Sequence, residues 1–215
     1  MARSEAARTA LLDAAERLFA ETGIAQVSDR RIAEVAGNTN HSAVRYYFGG
    51  REGLLRALVA RHLDALAEPR RAMPEQPDSV LGDVRSLVQP SMAVLAGLPR
   101  PSWRARFLAQ ALHDPTLRVL MREAFESAFV DLPVRASLAS RLAHLDPGVV
   151  AGRAALIARI VMTATAEVEA RAEQDGQDPR WLDVGDFLAD AIAGMLAAPV
   201  SRAAGTANPL TEAEL

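Results

Sequence analysis

Hydrophobic positions recur along most of the chain at the three- and four-residue spacing of amphipathic helices. From about Ser4 to Thr22, apolar side chains share one helix face, and Gly23 ends that helix as a C-terminal glycine. The apolar positions of this face are Leu11, Leu12, Ala15, Leu18 and Phe19. Alternating β-branched and aromatic runs, which are typical of strands, do not appear. The pattern therefore predicts an all-α fold.

Two short helices joined by a tight turn follow the first helix. Ser28 is an N-cap for the first of them, which ends at Gly37 after about two turns. Thr39 or Asn40 is expected to cap the second, which runs to Phe48. Two helices of this length, joined through a glycine, are typical of a helix-turn-helix.

The remaining pattern predicts a helical body and a tail. Helices are expected over about 51–66, 79–96, 102–112, 115–143 with a kink or split at Pro133, 147–174 and 179–198, and a loop over 69–77. Asp114, Asp146 and Asp178 each precede a proline that can occupy the first helical position. We therefore expect a DNA-binding domain over 1–50, a helical effector-binding and dimerisation domain over 51–198, and a flexible tail over 199–215.

Composition narrows the class of protein. The chain has 215 residues, half of them hydrophobic, with a net charge of −3 and no cysteine. Disulfides, thiolate metal sites and a cysteine nucleophile are therefore excluded. The first 61 residues are slightly basic and the rest acidic. Lysine is absent and arginine supplies every permanent cation, so a single surface arginine is weak evidence of function.

Targeting signals and enzyme motifs are also missing from the sequence. Charged residues recur through the N-terminal segment, so it lacks the apolar core of a signal peptide. The longest apolar stretch, 160–166, is too short to span a bilayer. We find no glycine-rich phosphate loop, no nucleophile elbow and no histidine spacing suited to a metal. The expectation is a cytoplasmic, non-enzymatic protein without cofactor, metal or membrane partner.

Side chains that can bind nucleic acid are concentrated between residues 39 and 51. A recognition helix needs small or hydrogen-bonding groups near its start and a packed inner side. The hydrogen-bonding groups are Thr39, Asn40, His41 and Ser42, and the packed positions are Ala43, Val44 and Phe48. Arg45, Tyr46 and Tyr47 extend toward phosphates or bases, and Arg51 stands at a helix N-terminus that favours phosphate.

This N-terminal quarter resembles the TetR family of one-component transcriptional regulators. The resemblance is carried by the segments 11–15, 18–23, 28–33, 36–37, 46–48 and 51–55. Between Gly37 and Phe48 the chain is one residue longer than most members of the family, with Asn38 to Ser42 in the turn and helix start. The register of the base contacts is therefore open by about one position.

The resemblance implies roles for individual residues in binding double-stranded DNA. Arg30 could reach a base or phosphate, and His41, Ser42 and Ala43 lie where base edges are read. Arg45, Tyr46 and Tyr47 contact phosphates and bases, and Arg51 grips the backbone. Tyr47 is alternatively a core residue of the small domain.

The C-terminal half yields two sets of candidates. Bulky, adaptable residues that can surround an effector are Met92, Trp103, Phe107, Met121, Phe125 and Met162, although each also fits an ordinary core. The last two helices are apolar on more than one face, which favours a homodimer over a wholly intramolecular bundle. The interface candidates are Ile157, Val161, Val168, Phe187, Ile192 and Met195.

Together these features predict a homodimeric, ligand-responsive repressor that reads a pseudo-palindromic operator. A small, mostly apolar effector would release it from the DNA. The alternative is a helical protein-interaction module that does not bind DNA.

Overall fold

A computed structural model describes residues 2–130 and 132–200, and these residues form helices and connecting turns without a strand. The helices are α1 Ala2–Thr22, α2 Asp29–Val35, α3 Ala43–Phe48, α4 Arg51–Ala65, α5 Ala67–Ala72, α6 Val80–Ala96, α7 Arg104–Ala109, α8 Pro115–Phe129, α9 Pro133–Arg141, α10 Pro147–Asp175 and α11 Trp181–Ala197. Short 3-10 turns follow α1 at Ile24–Gln26 and α7 at Gln110–Leu112. The predicted all-α class is confirmed.

The first hydrophobic core joins the helix-turn-helix to the body. Phe19 of α1, Ile32 of α2 and Val44 of α3 are completely buried in it. The same core includes Phe107 of α7 and Leu117 of α8, and the rings of Phe19 and Phe107 stack with their centroids 6.1 Å apart. One core thus spans both sides of residue 50, where the division into two domains remains a prediction.

A second core holds the C-terminal helices together. Val88 and Met92 of α6 pack with Leu188 and Ile192 of α11. The two helices approach closely at Gly185, where a Cβ atom would lie 2.7 Å from Cγ of Met92. The long helix α10 packs mainly on α7 and only sparsely on α11. Much of the outer surface of α10 is therefore left without a partner from this chain.

The proline positions test the predicted boundaries. The split at Pro133 is confirmed, and the carboxylates of Asp114 and Asp146 accept hydrogen bonds from the backbone at the starts of α8 and α10. The third expected cap is wrong, because Asp178 Oδ1 accepts from the N–H of Arg180 and α11 begins only at Trp181. Arg180 has a left-handed φ of 50°, which separates the Asp-Pro pair from the helix.

Two further expectations concern loops. The predicted loop over 69–77 is wrong in its first part, because α5 extends to Ala72. Pro69 lies in the first turn of that helix, where no intrahelical partner for its missing N–H is needed. Of the predicted tail, residues 201–215 lie outside the described residues.

Helix α10 extends one residue beyond the predicted 147–174 and is apolar over much of its length. By length and composition alone it is suited to cross a membrane, and only 11% of its most apolar stretch is buried. A single helix of this kind is weak evidence for a membrane span. Arg153 lies within it and donates hydrogen bonds to the carbonyls of Leu196 and Ala198 at the end of α11. The helix therefore interacts with this chain's own C-terminal helix through a charge.

Candidate nucleic-acid interface and apolar cavity

Helix α2 begins at the residue that the sequence indicated. Ser28 Oγ accepts a hydrogen bond from the N–H of Arg31 at 3.2 Å, as an N-cap does. Val27, just before the cap, and Ile32 are both buried in the first core. Gly37 follows with a left-handed φ of 68° and turns the chain toward α3. The first half of the helix-turn-helix is thus fixed by local sequence.

The turn between α2 and α3 is built by two asparagine side chains. Asn38 Oδ1 accepts from the N–H of Asn40, and Asn40 Oδ1 accepts from the N–H of Ser42, both at 2.9 Å. Asparagine that bonds the backbone two residues ahead stabilises a turn rather than a helix. The expected cap at Thr39 or Asn40 is therefore wrong, since α3 begins at Ala43 after Ser42.

Helix α3 has one buried and one exposed side. Ala43 and Val44 are completely buried. Arg45 and Tyr46 face solvent, and Tyr46 is 76% exposed, which is unusual for a large aromatic residue. Tyr47 is half-buried against the first core and meets the ring of Tyr46 edge to face, with centroids 4.9 Å apart. Tyr47 thus combines the structural role left open by the sequence with a position beside the exposed face.

An exposed polar surface precedes α3 in the chain. Thr39, Asn40, His41 and Ser42 are all exposed, and they lead directly into the outer face that carries Arg45 and Tyr46. We call residues 39–42, 45 and 46 the α3 surface. It provides hydroxyl, amide, imidazole and guanidinium groups, the groups that bind base edges and phosphates.

Arginine residues of α2 border this surface. Arg30 Nε donates to Glu34 Oε1 at 2.9 Å, and this hydrogen bond lowers the pKa of Glu34 below its ordinary value. Arg31 is also exposed and lies 3.9 Å from the same carboxylate. The sequence analysis named Arg30 as a DNA contact, which stays a prediction, and did not name Arg31. Both guanidinium groups would have to share or leave Glu34 to reach a phosphate.

Arg51 is held by the protein itself. Its guanidinium donates to Asp29 Oδ1 at 3.0 Å and to the carbonyl oxygen of Ile24, and it lies 4.9 Å from the ring centroid of Phe19. These contacts tie the start of α4 to α1 and α2. The grip on the DNA backbone expected of Arg51 remains a prediction, while its role in joining the helices is visible.

A large cavity lies inside the body. Its volume is about 690 Å³, within the range of small-molecule sites. Four predicted effector contacts line it, namely Met92, Met121, Phe125 and Met162. Two do not, because Phe107 is completely buried in the first core and Trp103 lies against the guanidinium of Arg17.

His62 is a lining residue that the sequence reasoning missed. It is 3% exposed, and its Nδ1 has no hydrogen-bond partner among the described residues. Burial, assisted by the nearby charges of Arg104 and Arg70, lowers the pKa of His62 to about 3. The available signal was its spacing, since His62 continues the inward positions of Leu55, Leu58 and Val59 on α4.

The candidate dimer residues do not form one surface. Ile192 is buried in the second core, and Ile157 and Val161 line the cavity, so these three face this chain's own interior. Val168 also packs against the second core. Phe187 is 74% exposed, whereas Met195 is half-buried. Ile192 is therefore closed to a partner by its burial, and the assignment of the other candidates to a dimer interface stays a prediction.

Comparison with known proteins gives one family match. Residues 11–58 match the family model described as bacterial regulatory proteins, tetR family. The chain is 30% identical over 119 residues to the HTH-type transcriptional regulator BetI 2 of Chromohalobacter salexigens, an alignment covering 53% of this chain and 56% of that protein. It is 32% identical over 123 residues to the HTH-type transcriptional regulator BetI of Burkholderia mallei, covering 55% and 61% respectively. The chain therefore spans less than two thirds of the length of these relatives.

A solved structure is also similar over most of the chain. It is a tetR-family transcriptional regulator from Streptomyces coelicolor, with 19% sequence identity and a TM-score of 0.47. The similarity covers 87% of this chain and 81% of that one.

Proposed function

We propose that this chain, whose residues 11–58 match the model of the tetR family of bacterial regulatory proteins, regulates transcription by binding operator DNA. The observation that carries the proposal is the division of α3 into two sides. Ala43 and Val44 are buried, while Arg45 and a highly exposed Tyr46 face solvent beside a polar turn. A helix with this division can enter the major groove without disturbing its own core.

The α3 surface would divide its work between bases and backbone. Residues 39–42 precede the helix and would reach base edges, because a recognition helix enters the groove by its N-terminal end. Arg45, Tyr46 and Tyr47 would bind phosphates and bases, with Arg30 at the rim. Arg51 would contribute chiefly by holding α4 in place.

A homodimer would place two α3 surfaces on one operator. The outer faces of α10 and α11 carry exposed apolar side chains, Ile160 at 37% and Phe187 at 74% exposure. Gly194 and Ala191 are exposed on the same side of α11 as Phe187, and small residues allow close helix approach. A second copy related by a two-fold axis would cover this face and give a pseudo-palindromic site with half-sites about 34 Å apart.

An effector in the cavity would act through α4. This helix begins three residues after the end of α3, and its His62 lines the cavity. A ligand with different affinities for two positions of α4 would shift the spacing of the two recognition helices and so the affinity for DNA. We infer a repressor, working in the cytoplasm, that such a ligand releases.

An electrophoretic mobility shift with DNA from upstream of the chain's own gene tests the proposal. We expect sequence-specific binding that weakens steeply with salt. Arg45→Ala should weaken it by about tenfold to a hundredfold, whereas Arg171→Ala, an exposed arginine of α10, should leave it unchanged. Binding that is absent, or equal for unrelated DNA, would instead favour the protein-interaction module.

A further inference from the structure

A second cavity adjoins the large one. Its volume is about 210 Å³, and Met121, Phe125 and Met162 line both cavities. We call the smaller cavity the annex. Two of the three shared residues are methionines, whose flexible side chains can move without loss of packing. One ligand could therefore extend from the large cavity into the annex.

The annex is rich in arginine. Arg118 and Arg122 of α8 and Arg159 of α10 line it, beside apolar residues. Arg118 and Arg159 are exposed at its rim. Guanidinium groups present paired N–H donors that match carboxylate and phosphate oxygens. The residue types therefore suit an anionic group.

The charges around both cavities have one sign. Among the described lining residues, the large cavity contributes Arg135, and neither cavity contains an aspartate or glutamate. His62 adds an imidazole that is neutral at pH 7, because its pKa is about 3. A cationic ligand would meet like charges and find no carboxylate partner.

We propose that the effector is an anionic amphiphile, with its apolar body in the large cavity and its carboxylate or phosphate at the arginines of the annex. This inference rests on the proposed function, in which that cavity receives the effector. It adds the chemical class of the ligand and a binding site for its head group.

Probes that share one alkyl tail but differ in head group test the proposed class of ligand. Decanoate, decyl phosphate, decanol and decyltrimethylammonium share an alkyl chain and can be titrated into the full-length protein by calorimetry, below their micelle concentrations. We expect an anionic probe to bind about tenfold more tightly than decanol, and the cationic probe to bind most weakly. Comparison of decanoate with decyl phosphate shows which head group the annex prefers. Tighter binding of the cation, or equal binding of all four, would overturn the proposal.

Variants of the annex test the site. The double substitution Arg118→Gln with Arg159→Gln should weaken the anionic probe by about tenfold and leave decanol unchanged. Arg171→Gln, on the same helix as Arg159 but in neither cavity, is the matched control. If the glutamine variant does not fold, Arg118→Lys with Arg159→Lys retains the charge and should keep most of the affinity. An unchanged anion affinity in the folded glutamine variant would refute the annex as the head-group site.

Calorimetry without DNA separates this inference from the proposed function. If operator binding is normal but no anionic probe binds, the inference alone fails. If an anionic probe binds at the annex and the protein has no operator, the ligand class stands and the regulatory function fails.

Discussion

Arg104 Nε donates to Glu16 Oε2 at 2.6 Å, and this contact joins α7 of the body to α1, the helix that precedes the helix-turn-helix. Both side chains are buried, at 6% and 10% exposure. Arg61 of α4 donates to the same oxygen at 2.5 Å. One carboxylate thus holds three helices together, including the helix that follows the recognition helix and lines the cavity.

Loss of this carboxylate should destabilise the protein strongly. Glu16→Gln leaves the buried Arg104 without a charge partner, and we expect the free energy of unfolding to fall by about 3 kcal/mol. The control is Glu52→Gln, which breaks an exposed pair with Arg56 and should change stability by less than about 0.5 kcal/mol. Urea denaturation followed by circular dichroism measures both, and equal small losses would show that the buried pair contributes little.

Two arginines of the DNA-binding domain should separate stability from DNA binding. Arg51→Ala removes contacts with Asp29, Ile24 and Phe19, so we expect a loss of about 2 kcal/mol in unfolding free energy. Arg45→Ala removes an exposed side chain and should weaken operator binding without lowering the melting temperature. Thermal melts and mobility shifts on the same two proteins make the comparison. The reverse pattern would place Arg51 rather than Arg45 on the DNA.

The helix-turn-helix could be predicted because its determinants are local. Ser28 marks the start of α2 by its hydrogen bond, and Gly37 follows the end of α2 by its backbone conformation. Both signals are local and can be recognised in a sequence. The start of α3 could not be placed, since Asn38 and Asn40 can either cap a helix or close a turn. The choice depends on how the buried Ala43 and Val44 dock on the first core.

The C-terminal half was harder to predict because burial there is decided between helices. Periodicity found α10 and α11 but could not say which apolar face meets the protein's own core, and Ile192 was assigned outward although it is 1% exposed. The spacing of His62 shows that it faces inward, but its place beside a cavity is known only from the structure. Conversely, Phe107 has the size of a ligand contact but packs on Phe19 instead.

Helix α4 can approach α3 only because residue 53 is glycine. A Cβ atom there would lie 1.8 Å from the carbonyl oxygen of Phe48, a backbone atom that cannot move aside cheaply. We expect Gly53→Ala to cost about 3 kcal/mol and to abolish operator binding. Gly97→Ala is the control, because its new Cβ would lie 3.6 Å from the carbonyl oxygens of Ala93 and Val94, an ordinary contact, and the local φ of −82° suits alanine. Equal melting temperatures for the two variants would contradict the prediction.

Acid should destabilise the protein through His62. The folded protein keeps this side chain neutral down to a pKa of about 3, whereas in the unfolded chain it titrates near 6.5. The part of the unfolding free energy that depends on a neutral His62 is therefore fully present above pH 6.5 and is lost as pH falls toward 3. Relative to His62→Leu, wild-type stability should fall by about 1.4 kcal/mol per pH unit across that window. Urea unfolding at a series of pH values measures the difference, and parallel curves for the two proteins would refute the prediction.

Phe187 should control the oligomeric state. Its ring is 74% exposed, on the side of α11 opposite to the residues that pack on α6, and a second copy would bury it. Phe187→Asp places a charge in that interface, and the cost of desolvating this charge should convert the proposed dimer to a monomer.

Leu182→Asp is the matched control. Leu182 is 55% exposed but lies on another side of α11, beside α6, where it borders a separate surface cavity. Sedimentation velocity should therefore show a monomer for the first variant and a dimer for the second. A dimer gains affinity by binding both half-sites of the operator at once, so the monomeric variant should also lose operator affinity. At high protein concentration, its melting temperature should stay close to that of other surface variants. If Phe187→Asp remains dimeric, the proposed face is wrong and another surface must join the two copies.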